Sequence, residues 1–148
     1  MRTRRIILVL SCLAASAAMA EVVRIEVEGS GDIANGKSYG LAGAYERIAG
    51  TIHYAVDPGN RINRTITDIE YAPVNAAGLV EFSADSYLIK PKKIEAGNGA
   101  VFFEVANRGR KGLLTRFNRA VGSVDPSSSE HIGDGFLLRQ GFSLLWVG

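Results

Sequence analysis

Phe142-Ser143-Leu144-Leu145-Trp146-Val147 is the stretch on which the reading of the fold turns. Its near-unbroken apolar character is that of a strand covered on both faces inside a parallel sheet. A strand with one wet face would alternate instead. Only Gly148 follows. The expectation is therefore a strand whose cover comes from segments beyond residue 148, with this chain as the front part of a longer protein.

Working back from that strand, Gly141 stops a short helical stretch, Phe136-Leu137-Leu138-Arg139-Gln140, for which Asp134 is a candidate N-cap. Ser127 and Glu130 have the spacing of a capping box. Leu113, Leu114 and Phe117 recur at helical spacing, which predicts another short helix. Val101-Phe102-Phe103-Glu104-Val105 is a second nearly continuous apolar run, expected to be a buried parallel strand. Strand, loop, helix, strand is the crossover grammar of an α/β sheet.

Ahead of Gly97-Asn98-Gly99 the pattern is different. Val23, Ile25 and Val27 alternate with Arg24, Glu26 and Glu28, as in a strand with one solvated face. Asn35-Gly36 marks a turn, since both residues tolerate positive φ. Residues 51–56 form a strand that Asp57-Pro58-Gly59 closes. A third strand is expected near residues 66–71, and a longer one over residues 79–89, ended by Pro91. The fold class expected is α/β: a β-rich amino-terminal region, residues 21–78, leads into the first strands of an incomplete α/β sheet.

The first twenty residues read as an address. Arg2, Arg4 and Arg5 precede the apolar residues 6–13, and Ala18-Met19-Ala20 has the small-x-small pattern of a signal-peptidase site. Such a stretch falls short of the roughly 20 apolar residues that a spanning helix needs. Export to the periplasm or the medium is expected, with no stable membrane anchor after cleavage. Thr3-Arg4-Arg5-Ile6-Ile7-Leu8 also fits a twin-arginine signal, and Val9-Leu10-Ser11-Cys12 a lipoprotein box behind a short apolar stretch. Cys12 is the only cysteine. A processed chain would thus hold no disulfide, thiol nucleophile or cysteine metal site. Processing would also remove three arginines and no acid, turning the formal net charge of +2 into −1. Compositional support for a nucleic-acid partner goes with it.

Asn107-Arg108-Gly109-Arg110-Lys111-Gly112 follows the strand at 101–105, where ligands bind in open α/β sheets. Asn107, Arg108 and Gly109 either make a plain tight turn or present backbone N–H groups to an oxyanion. Arg108, Arg110, Lys111, Arg116 and Arg119 fall in a stretch without an acid. They suit a phosphate or carboxylate, a solvated face, or ion pairs with later segments. His53 and His131 are the only histidines, no G-x-S-x-G occurs, and no metal-ligand spacing is present. No cofactor or metal is expected.

Several segments together carry a resemblance: Gly43-Ala44-Tyr45-Glu46-Arg47, Ile52-His53-Tyr54-Ala55-Val56-Asp57-Pro58 and Gly78-Leu79-Val80-Glu81-Phe82-Ser83-Ala84-Asp85. With them stand Phe103-Glu104-Val105-Ala106-Asn107-Arg108-Gly109-Arg110-Lys111-Gly112-Leu113 and Gly133-Asp134-Gly135-Phe136-Leu137-Leu138-Arg139-Gln140-Gly141-Phe142. In this order they resemble the amino-terminal part of a family of exported bacterial α/β-hydrolase-domain proteins. The resemblance implies that residues 79–148 begin a hydrolase domain: a hairpin, the strand at 101–105, the loop, a helix and the strand at 142–147. It implies an oxyanion donor in the loop at Asn107, Arg108 and Gly109, although the lipase-type H-G-G-G pattern is absent there. The nucleophile, acid and histidine of such a fold come after the strand at 142–147, so this chain alone should be inactive. The longer protein would be a serine hydrolase acting on an ester or related acyl bond of a small molecule. A non-catalytic exported β-rich binding module is the competing expectation.

Overall fold

The computed structural model describes residues 21–106 and 109–148; the expected signal peptide, residues 1–20, lies outside the described residues. Five strands form one mixed sheet with a few short helices, so the described chain is β-rich. They are β1 (Glu21–Asp32), β2 (Tyr45–Val56), β3 (Val80–Pro91), β4 (Val101–Val105) and β5 (Ser143–Val147), in the spatial order β1-β2-β3-β5-β4. β1–β2, β2–β3 and β3–β5 pair antiparallel, and β4–β5 pair parallel. Helices α1 (Gly112–Phe117), α2 (Ser129–Ile132) and α3 (Phe136–Arg139) all lie in the crossover from β4 to β5. β2 and β3 run in register from Tyr45↔Pro91 to Val56↔Val80. The hairpin expected after residue 79 is therefore made across that point, and the stretches on either side share one sheet.

One face of the sheet is closed from within the chain. Tyr45, Tyr87, Ile89, Leu144 and Trp146 point to it and pack with Ile33, Tyr39, Leu113, Leu114, Ile132, Leu137 and Leu138. Asn118, fully buried on the helical side, pins the three helices. Its side chain donates to Ile132 O at 3.0 Å and accepts from Leu137 N at 3.0 Å, and its carbonyl accepts from Asp134 N at 2.8 Å. A buried amide is tolerated because every polar atom of it is used. Gly133, at φ 64°, lies so close that a Cβ there would stand 2.1 Å from the Asn118 carbonyl oxygen. Tyr45 sends its hydroxyl to Leu138 O at 2.9 Å and Phe142 O at 3.1 Å, tying β2 to the end of α3.

Five expectations need correction. The strand near residues 66–71 is absent: 3-10 turns occupy Asn63–Thr65 and Ile69–Tyr71, and Asp68 between them has φ 58°, which no strand accommodates. β4 is parallel as expected but is an edge strand of the described sheet, and Val101, Phe103 and Val105 are exposed because no layer among the described residues covers their face. β5 is covered on one face rather than two: Leu144 and Trp146 are buried, whereas Leu145 and Val147 are partly exposed. The capping box expected at Ser127 and Glu130 is replaced by a simple N-cap at Ser128, whose Oγ accepts from His131 N at 3.4 Å; the third residue of the helix is then His131, which is no Glu or Gln to complete a box. The N-cap of α3 is Gly135, at φ 72°, rather than Asp134, whose Oδ1 accepts from Phe136 N at 2.8 Å in a turn one residue ahead of the cap.

Candidate functional site

The carboxyl end of β4 opens into a cleft of about 600 Å³ between that strand, α1 and residues 122–124. Its organising residue is Glu104. Strand alternation turns Glu104 to the covered face while Phe103 and Val105 face outward. Placed there, a carboxylate needs donors, and it has three: Trp146 Nε1 at 2.7 Å, Leu113 N at 3.0 Å and Arg116 Nη1 at 2.8 Å. Leu113 N belongs to the first turn of α1 and has no partner within the helix. Glu104 thus joins β4, β5 and α1 at one point.

Arg110, Lys111 and Arg116 also line the cleft. Lys111 Nζ lies 4.5 Å from the centre of the Tyr87 ring and donates to Val124 O. Burial draws its pKa down, against the opposing pull of Asp125 and Asp85. Beside it, Tyr87 donates to Asp125 Oδ1 at 2.6 Å and to Pro126 O at 3.2 Å, and Arg47 pairs with Asp125 at 3.3 Å. Burial first, then the Asp125 carboxylate, raises the Tyr87 phenol. Residues 123–126 are thereby held against β2 and β3 and form one wall.

Of the three residues expected to form an oxyanion loop, Asn107 and Arg108 lie outside the described residues. Gly109 has φ 72° and open space where a Cβ would be, and it leads directly into Arg110 at the cleft. Neither histidine lines the cleft. His53 sits on β2, 3.0 Å from Glu26 Oε2 and 3.0 Å from Arg24 Nη2, on the exposed β1–β2 surface. His131 is in α2. No group of three His, Cys, Asp or Glu able to hold a metal occurs among the described residues. Among them, too, no helix is long and apolar enough to cross a membrane.

Glu104 and Asp125 were not singled out by the sequence analysis. Glu104 had a signal, since a lone acid inside an apolar strand requires partners if it points inward. Asp125 had none, because its role depends on where the loop folds. No family model, no curated protein and no solved structure matches the chain.

Proposed function

We propose that this chain is the amino-terminal portion of an exported α/β-hydrolase, a serine hydrolase of ester or related acyl bonds whose nucleophile and triad lie outside these residues. One observation carries the reading. An antiparallel hairpin, β2–β3, leads into a parallel pair, β4 and β5, with β5 inserted between β3 and β4. The glycine-containing loop after β4 then opens on the cleft, at the carboxyl end of a parallel strand, where open α/β sheets bind ligands. Asn107, Arg108 and Gly109 would supply the oxyanion donor from this loop. The apolar second face of the sheet, with Val101, Phe103 and Val105 exposed, suits a fold that places helices on both sides. Small-molecule acyl substrates would be the partners, outside the cytoplasm, without nucleic acid or a lasting membrane anchor.

A second reading, a non-catalytic exported β-rich binding module, has one observation in its favour: the chain closes its own core around Trp146, which is 1% exposed. Reading the open frame past Gly148 separates the two. A continuation containing G-x-S-x-G, whose product reacts with a fluorophosphonate at that serine, supports the hydrolase. A frame that stops, with a chain that unfolds cooperatively as a monomer, leaves the binding module.

A further inference from the structure

The basic residues of the cleft are arranged rather than scattered. Glu104, fixed by the Trp146 indole and the Leu113 amide, holds the Arg116 guanidinium across Gly112. A Cβ on Gly112 would stand 2.9 Å from Glu104 Oε1 and 3.0 Å from the guanidinium carbon of Arg116. With no side chain at Gly112, the charged pair packs directly over the backbone there. One guanidinium N–H is used by Glu104, and a guanidinium has five. Arg110 lines the same cleft and has no acidic partner among the described residues. The half-buried Lys111 adds a third positive charge. Against these three stands one lining acid, Glu104, whose oxygens already accept three hydrogen bonds. Asp125 and Asp85 reach Lys111 from outside the lining, and Asp125 is itself shared with Arg47 and Tyr87. The lining therefore carries uncompensated positive charge on planar donors suited to oxyanions.

We propose that this cleft is an oxyanion-binding subsite, in which Arg110 and Arg116 take the carboxylate or phosphate group of a small-molecule ligand and Lys111 supplies the surrounding positive field. As a binding site it stands by itself. As a statement that the substrate is an anionic acyl compound it rests on the hydrolase reading.

The test is a titration of the purified chain with acetate and, separately, with phosphate, at an ionic strength held constant with chloride. Trp146, the only tryptophan, reports through its bond to Glu104, and the backbone amides of Arg110 and Gly112 report directly by NMR. A saturable response to one or both oxyanions is expected, and the anion that saturates identifies the ligand group. Arg110→Gln and Arg116→Gln should each weaken it about tenfold, the scale of one charge-assisted contact. Arg119→Gln, on an exposed residue outside the lining, should leave it unchanged. No saturable response to either anion overturns the proposal. Equal weakening by the Arg119 and Arg110 variants also overturns it, since that describes diffuse charge. The titration involves no turnover, so failure of the hydrolase reading, seen as a longer product that a fluorophosphonate does not label, is read independently.

Discussion

The two faces of the sheet are built from similar residues and have opposite surroundings. Tyr87, Ile89, Leu144 and Trp146 point to one face and are almost wholly buried; Val27, Phe82, Phe103 and Val105 point to the other and are exposed. What separates them is the chain between the strands. Residues 33–44 and the crossover with α1, α2 and α3 fold onto the first face, and Asn118, Tyr45 and Glu104 fasten them there by hydrogen bonds between elements. The open face has no such layer among the described residues, and Tyr54 stacked on Phe82 at 5.0 Å is its main aromatic contact. Hydrophobicity marks which positions can be buried. Connections and polar fasteners select which ones are.

Substitutions across this divide should differ steeply. Trp146→Ala on the covered face should cost about 3–5 kcal/mol in urea unfolding, as other large-to-small core changes do, whereas Val105→Thr on the open face should stay within about 0.5 kcal/mol. Equal costs would mean that the open face is covered in solution. Next in size is Glu104→Ala, which strands the Trp146 indole N–H and the Leu113 amide. A loss of about 2–3 kcal/mol is expected, together with a changed Trp146 emission spectrum. Tyr87→Phe gives up the bonds to Asp125 and Pro126 while keeping the ring against Trp146, so about 1 kcal/mol should go.

A pH series sharpens the contrast from another side. Burial raises the Tyr45 phenol from 10.0 to about 12. The folded state therefore resists its ionisation. Its contribution is intact below pH 10 and disappears as pH climbs toward 12. Unfolding free energy should fall across that window, and Tyr45→Phe should flatten the fall. An unchanged alkaline slope in the variant would assign the effect to other groups. The smallest expected change in stability is on the open face: Phe103→Thr with Val101→Thr should barely move the unfolding midpoint. The pair should still lower concentration-dependent association measured by light scattering, because it breaks an exposed apolar edge.

Much of the fold follows from short-range pattern. Val23, Ile25 and Val27 do fall in β1, although residues 21–28 are exposed on both faces, not one, and the register shifts around Val23. Asn35-Gly36 turns with both residues at positive φ, and Leu113 and Leu114 form the buried side of α1. The parallel pairing of β4 with β5 was expected from two apolar runs separated by a crossover. Residues 66–71 went the other way, because alternation there has no partner strand to pair with and Asp68 breaks the backbone. In the candidate site the basic run was visible in composition, and the loop position in the strand pattern.

Local chemistry was thus enough to say that this is a strand-rich chain, which residues can enter a core, and where its glycine- and arginine-rich loop begins. Such properties depend on neighbours within a few residues and on the period of the backbone. The order β1-β2-β3-β5-β4, the choice of covered face and the meeting of Glu104 with Arg116 and Trp146 were decided by tertiary packing. Trp146 is 42 residues from Glu104 in the chain. A contact over that separation is set by how the crossover closes on the sheet, which no local pattern encodes.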